Sequence, residues 1–184
     1  MSINRRDFLK FASLKLSSLK LVSLGYLAPP LATLTSCTHQ RFYNPDQDII
    51  LGGGQFIQND ELRHVLSVIN LQQRDNQLIE MDFLAHGIII DPDDKKRLIV
   101  FEKNGVNAAE ISLGDHSVTR TIKHGKQRHF SGHGAFDKGG EKLFCTETSL
   151  DDEQGVIVIR DGRSLEVIAE ISSYGKNPHE CQLI

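Results

Sequence analysis

The sequence predicts an all-β fold, and three observations support this prediction. From His64 onward the apolar residues fall in runs of four to nine, rich in Val, Ile, Leu, Phe and Thr, which is typical of short strands. Turn-forming residues separate the runs, and no segment keeps a helical period. The dipeptides His86-Gly87, His133-Gly134 and His179-Glu180 recur at spacings of 47 and 46 residues. A repeat of this length indicates stacked or radially arranged sheets.

Ten runs are predicted as strands, in the order HVLSVINL, QLIEMDF, GIIIDP, RLIVFEK, NAAEISL, SVTRTIKH, GAFD, KLFCTET, VIVIRD and EVIAEIS. The second repeat then has strand A at 133–137, B at 142–148, C at 156–161 and D at 166–172. Four antiparallel strands per repeat are typical of a β-propeller blade. A β-sandwich has strands of similar length but no reason to place a histidine at the head of every fourth one.

The length of the repeat region predicts an incomplete β-propeller. From His86 to Ile184 the chain holds barely more than two repeats, whereas a seven-blade ring of this repeat needs roughly 320 residues. We therefore expect two to three four-stranded blades over 64–184, with the chain ending inside a strand A that opens at His179. Open blades would expose apolar sheet faces, so we expect association with another copy or with a missing propeller half.

The segment 37–63 is predicted as a polar tether that leads into a first short strand at 48–51. Within it, the sequence LGGGQF is predicted as a turn. It lacks the Lys-Ser/Thr of a phosphate-binding P-loop, and no helical run follows it at the spacing of a dinucleotide-binding motif.

Residues 1–36 resemble a twin-arginine export signal. Arg5 and Arg6 are followed by Phe8 and Leu9 and then by a mildly apolar stretch, which two further lysines interrupt. Those lysines argue against a stable membrane span. The resemblance implies export to the periplasm by the twin-arginine translocase. Because this segment is basic, the rest of the chain is more acidic than the overall charge of −3, which argues against nucleic-acid binding.

The three cysteines have different expected roles. Leu-Thr-Ser-Cys37 resembles a lipobox, which implies acylation of Cys37 and anchoring by lipid alone. Thr38 follows where an aspartate would favour the inner membrane, so the outer membrane is the expected location. Plain cleavage of the signal or a structural cysteine are the alternatives. Cys145 and Cys181 are expected to be buried thiols rather than a disulfide.

The repeated histidines suggest a site at one end of the propeller channel. Strand A is innermost in a blade, so His86, His133 and His179 should lie at equivalent points around the channel. Strand B runs antiparallel to A, and its far end carries Glu102 and Glu147. Each blade would therefore place a glutamate beside its histidine.

Such His–Glu pairs have two interpretations. They could bind a transition metal such as iron, copper or zinc, for which imidazole is a suitable ligand. They could instead be structural hydrogen bonds between strands A and B, and the sequence favours this reading. His124 and His129, on the loop before strand A, are secondary candidates only, because no cysteine accompanies them at the spacing of a zinc site.

Three segments resemble the bacterial domain-of-unknown-function 1513 family, within the propellers with YVTN- and WD40-like repeats. They are RHFSGHGAFDKGGEKLFCTET, EQGVIVIRD and YGKNPHECQL. The resemblance implies an exported propeller without an assigned activity. Members are often encoded beside imelysin-type proteins of iron acquisition, which implies a metal-uptake role and an imelysin-type partner.

Two classes of function follow. The first is a binding or accessory propeller of periplasmic metal uptake, with a transition metal as its ligand. The alternative is a hydrolase similar to the lactonase-type propellers, in which His133 and Glu147 would provide acid–base or metal chemistry. The sequence has no Gly-x-Ser-x-Gly motif, and neither Cys145 nor Cys181 lies in a catalytic motif. Binding is therefore favoured over catalysis, and no residue is assigned as catalytic.

Overall fold

The computed structural model describes residues 46–184. The predicted export signal and Cys37 lie outside these residues. Within them every regular element is a β-strand, as the all-β prediction requires. No helix in this part of the chain is long and apolar enough to cross a membrane.

Eleven strands form three antiparallel sheets in the described residues. They are β1 (Ile49–Gln58), β2 (Glu61–Asn70), β3 (Asp75–Met81), β4 (Ala85–Ile90), β5 (Arg97–Glu102), β6 (Asn107–Ser112), β7 (Ser117–Lys123), β8 (Arg128–Phe136), β9 (Lys142–Ser149), β10 (Gln154–Asp161) and β11 (Val167–Lys176). The sheet orders are β1-β2-β3, β4-β5-β6-β7 and β8-β9-β10-β11. Consecutive antiparallel meanders of this kind are typical of propeller blades, so the described residues form three successive blades of a β-propeller, as predicted, the first with three strands and the others with four.

The region predicted as a tether contains most of a long hairpin instead. β1 pairs with β2 over its whole length, from Ile49 opposite Asn70 to Gln58 opposite Glu61. The turn lies at Asn59 and Asp60, which have φ values of 52° and 64°, as a two-residue hairpin turn requires. The predicted turn at LGGGQF is therefore wrong, because Gly52–Gly54 lie inside β1.

The first strands of successive sheets approach each other closely at glycines. β1 lies beside β4, and β4 lies beside β8. A Cβ atom on Gly53 would be 1.9 Å from the Ala85 carbonyl oxygen, and one on Gly87 would be 2.0 Å from the Gly132 carbonyl oxygen. Both distances are far below van der Waals contact, so only glycine fits at these positions.

The middle sheet is buried on both faces. Leu98 and Val100 of β5 pack into a core shared with the first sheet, and Ile99 and Phe101 pack into a core shared with the third sheet. All four side chains are fully buried. Alternate residues of a strand point to opposite faces, so this continuous apolar run fixes the middle blade between its two neighbours.

The last sheet leaves apolar residues exposed. Ile168, Ile171 and Tyr174 of β11 are 55%, 50% and 93% exposed. Exposed apolar residues of this size on one strand are typical of a surface that another element covers. In the described residues nothing covers them.

The segment after β11 differs from the prediction. Residues 177–184 form no strand, although a strand A was expected to open at His179. A strand requires a hydrogen-bonded neighbour, and the described chain offers none on this side. The segment instead packs against the third sheet, where the Cys181 thiol lies 3.7 Å from the Phe144 carbonyl oxygen. Cys145 and Cys181 are both free thiols.

Gly53→Ala tests whether close strand approach is essential. We expect it to destabilise the protein by about 1–3 kcal/mol or more, because the new methyl group would overlap the Ala85 carbonyl oxygen. Gly52→Ala is the matched control, since a Cβ there meets nothing within 4 Å. Urea unfolding measures both variants. Equal stabilities for the two would contradict this explanation.

Candidate metal centre

Three histidines from three separate segments converge at one point. His86 is on β4, His133 is on β8, and His179 lies after β11. Each offers a ring nitrogen, and these nitrogens all lie within 4.8 Å of one another. The ring centroid of His133 is 4.9 Å from that of His86 and 4.6 Å from that of His179. We refer to these three residues as the histidine triad.

Strand irregularities place two of the triad residues. In the β4–β5 pairing, Ala85 is opposite Glu102 and Gly87 is opposite Phe101, so His86 is an extra residue in the ladder. In the β8–β9 pairing, the register shifts between Phe130 and Gly134, a stretch that contains His133. A β-bulge changes the direction of the side chain it carries, and these two bulges coincide with the convergence of the imidazoles.

A further glycine, Gly132, leaves room for the ring of His86. Gly132 has a φ of 114°, a conformation that side chains rarely adopt. A Cβ atom there would lie 2.9 Å from Cδ2 of His86. The ring of His86 therefore occupies the space that a side chain at this position would need.

The glutamates are not placed as predicted. Glu102 accepts hydrogen bonds from the Asn107 side-chain amide at 2.7 Å and from the Asn107 backbone amide at 3.2 Å. Glu147 is fully buried and accepts from Arg160 Nη2 at 3.1 Å and from the Gly125 backbone amide at 2.9 Å. The predicted hydrogen bonds, in which the histidines would donate to these carboxylates, are therefore not formed.

The reason for this difference is the register. Glu102 is opposite Ala85, and Glu147 is opposite Phe130, so neither carboxylate is level with its histidine. Counting residues back from the strand ends could not reveal this offset, because a bulge adds residues to one strand only.

The two secondary candidates lie outside the triad. The Nδ1 atom of His124 contacts the carbonyl oxygen of the next residue, Gly125. The Nδ1 atom of His129 is 3.2 Å from the Phe130 carbonyl oxygen. Each ring is thus hydrogen-bonded to its own local backbone, and neither joins the three-histidine cluster.

The surroundings of His86 and His133 favour neutral imidazoles. Burial lowers the pKa of His86 below its usual value, and the charges of Lys103 and His179 lower it further. Burial also lowers the pKa of His133, assisted by His179, His86 and Lys103 and partly opposed by Glu180. Neutral imidazole is the form that binds metal ions.

One buried nitrogen of the triad has no hydrogen-bond partner among the described residues. Nε2 of His133 is buried from solvent and makes no hydrogen bond. An orphaned buried polar atom costs free energy unless something binds it. A metal ion coordinated by this nitrogen would remove that cost.

The geometry of the triad is compatible with a metal ion after small side-chain rotations. Nitrogen ligands lie about 2.0–2.1 Å from zinc, so two of them on one ion are about 3.0–3.4 Å apart. The triad nitrogens lie within 4.8 Å of one another. His86 and His179 are exposed, so their rings can rotate toward the ion. Imidazole suits zinc, copper, iron and nickel alike.

A cleft beside the triad was not predicted from the sequence. It has a volume of about 230 Å³ and is lined by Lys103, Asn104, Ser131, Thr148, Asn177, Pro178 and His179. These residues come from four stretches of chain. Ser131 and Asn177 are 46 residues apart, and Lys103 and Thr148 are 45 apart, so the repeat relates them in pairs. The spacing does not show that the two pairs line one cleft with His179.

The first blade contributes a glycine where the next two contribute a histidine. Gly53 contacts the residue before His86, and Gly87 contacts the residue before His133. Gly53 and Gly87 are therefore equivalent, so Gly52 is the counterpart of His86. The histidine repeat thus does not extend to the first described blade.

Comparisons with solved structures support the propeller fold. Dihydro-heme d1 dehydrogenase NirN in complex with DHE is 17% identical over 66% of this chain and 28% of its own, with a TM-score of 0.51. Kuenenia stuttgartiensis hydrazine synthase is 18% identical over 60% of this chain and 33% of its own, with a TM-score of 0.52. At such low identity the likeness shows the fold alone, and the chain spans about a third of these proteins.

A further match is the β-propeller domain of the Trilobed protease from Pyrococcus furiosus. It is 18% identical over 68% of this chain and 39% of its own, with a TM-score of 0.46. No curated protein matches the chain in sequence. The family described as "Protein of unknown function (DUF1513)" matches residues 79–184, which is more than half of the chain. The chain therefore belongs to this family.

Proposed function

We propose that the protein is a metal-binding β-propeller in which the histidine triad holds one transition-metal ion. The observation that carries the proposal is the convergence of His86, His133 and His179 from three separate segments, with ring nitrogens within 4.8 Å of one another. Its role would be that of a binding or accessory protein in metal uptake, with iron, copper or zinc as the ion.

The number of ligands supports a site that exchanges its metal. Structural zinc sites use four protein ligands and are closed, whereas sites with three protein ligands keep an open position. The triad supplies three imidazole nitrogens, and Glu102 and Glu147 are bound elsewhere. An open position allows a second molecule to bind the metal or remove it, as uptake requires.

The hydrolase alternative has less support from the geometry. It needs the Glu147 carboxylate beside His133. That carboxylate is fully buried and bound by Arg160, which is itself buried. Its two oxygens accept hydrogen bonds from Arg160 and from the Gly125 backbone amide, so the carboxylate is not free to contact a substrate beside His133. Binding thus remains the better supported class.

We also propose export to the periplasm by the twin-arginine translocase, with a lipid anchor at Cys37. The support is the sequence pattern of residues 1–37, which lie outside the described structure. An imelysin-type protein, a second copy or further propeller blades are the proposed partners. The exposed Ile168, Ile171 and Tyr174 supply an apolar surface for a second copy or for further blades.

Metal titration tests the triad. We expect one zinc or cobalt ion per chain with micromolar or tighter affinity. His133→Ala should weaken binding by more than about 100-fold, since loss of an outer-shell partner alone costs about 10–100-fold. His129→Ala is the matched control, because His129 is on the same strand but outside the triad. Unchanged metal content in His133→Ala would refute the site.

Proton titration by NMR tests the electrostatics of the metal-free triad. We expect the midpoints of His86 and His133 to lie below the usual 6.5, because both pKa values are lowered. Both rings should then stay neutral, and metal binding should persist, as the pH falls below that value. Lys103→Met should raise both midpoints, since it removes a nearby positive charge. Midpoints at or above 6.5 in the wild type would be the contrary result.

Cell fractionation tests export. Wild-type protein should appear in the periplasmic or outer-membrane fraction, whereas Arg5→Lys with Arg6→Lys should remain in the cytoplasm. Lys10→Arg is the control for a charge-conserving change in the same segment. Cys37→Ala should release the protein from the membrane fraction without blocking export. Export of the double variant at the wild-type level would contradict the twin-arginine route.

A further inference from the structure

We infer that the cleft beside the histidine triad binds a small planar oxyanion, a carboxylate or carbonate, which completes the coordination of the metal ion. This inference rests on the proposed metal site. The cleft adjoins the triad through His179, so a ligand in it can reach an ion held there. The site would therefore take its metal together with an external anion.

The residues that line the cleft favour binding of an anion. It is lined by Lys103, Asn104 and Asn177, which carry an ammonium group and two side-chain amides, and no aspartate or glutamate lines it. Lys103 is exposed and forms no ion pair with any described residue. Ammonium and amide N–H groups are hydrogen-bond donors, and bonds to an ionised acceptor are the stronger kind.

A buried hydroxyl hydrogen adds a further donor. Ser131 and Thr148 line the cleft and are 4% and 1% exposed. Their side-chain oxygens are 2.8 Å apart, and this is the side-chain hydrogen bond that each of them makes within the described residues. Two hydroxyl groups carry two hydrogens, and their mutual bond uses one. The other hydrogen has no acceptor among the described residues, and an oxyanion in the cleft would supply one.

The charge balance also calls for an anion. A divalent ion on three neutral imidazoles keeps its full charge, and the Lys103 ammonium group adds to it near both His86 and His133. Glu180 is the carboxylate that acts on His133, and it accepts a hydrogen bond from Gln182 at 3.1 Å. One carboxylate leaves an excess of positive charge, which an anion between the metal ion and Lys103 would offset.

The size of the cleft limits the ligand. Its volume of about 230 Å³ corresponds to roughly seven or eight water molecules at about 30 Å³ each. Acetate or carbonate fits with part of its hydration shell, whereas a large chelator would not be enclosed. The open position on the metal requires an oxygen donor that can reach both the ion and Lys103, and a two-oxygen anion meets this requirement.

Visible spectroscopy of the cobalt(II)-loaded protein tests the inference. Cobalt is first bound in buffer free of coordinating anions, and acetate and bicarbonate are then titrated separately. We expect a saturable change in the cobalt absorption bands with at least one of them, and the more tightly bound anion identifies the source. Lys103→Met should weaken the anion by about tenfold or more, as loss of a charge-assisted hydrogen bond predicts. Lys138 is an exposed lysine in the turn between β8 and β9, and the control variant Lys138→Met should bind the anion like the wild type.

The outcomes separate the two proposals. If cobalt binds but neither anion changes its spectrum, the inference is wrong and the metal site stands. The same conclusion follows if Lys103→Met and Lys138→Met respond to the anions alike. If cobalt does not bind at all, the proposed metal site fails, and the inference fails with it.

Discussion

The close approach of the inner strands is the constraint on which the rest of the structure depends. β1, β4 and β8 come together because Gly53 and Gly87 carry no side chain where the neighbouring carbonyl oxygens of Ala85 and Gly132 lie. That approach brings the first strands of successive blades together at one end. The residues that follow those two carbonyls are His86 and His133. The same contacts that set the spacing of the blades thus set the spacing of the histidines.

Ion pairs within and between the blades hold this arrangement without contributing to the site. Arg160 on the third sheet binds Glu147 on the same sheet and donates to the Lys123 carbonyl oxygen at the end of the second sheet. Asp91 is fully buried and forms an ion pair with Arg97. Arg163, which follows β10 of the third sheet, forms a second ion pair with Asp91. Removing one partner of a buried pair costs about 3–5 kcal/mol, so these carboxylates serve stability. The triad is left as a set of three imidazole ligands.

The sequence predicts the strands and the repeat well, because both depend on local patterns. The alternation of apolar runs and turns locates every strand from β2 onward, and the histidine spacing identifies the blade. The pairing of Glu102 and Glu147 with histidines failed because two bulges shift the register, and a bulge leaves no mark in the apolar pattern. Gly52–Gly54 resembled a turn because the contact that demands glycine is with another strand. The cleft forms where Lys103 meets Ser131 of β8, Thr148 of β9 and the segment after β11, and the repeat spacing does not show that these positions meet.

X-ray absorption spectroscopy of the zinc-loaded protein tests the central claim most directly, because it counts the atoms bound to the metal. We expect three imidazole nitrogens at about 2.0–2.1 Å from the metal and at least one oxygen. A shell dominated by sulfur, or by carboxylate oxygens with fewer than two imidazoles, would contradict it. Sulfur would point to Cys181, which lies two residues after His179. Oxygen would point to surface carboxylates and would leave the histidine triad as a packing arrangement of the propeller.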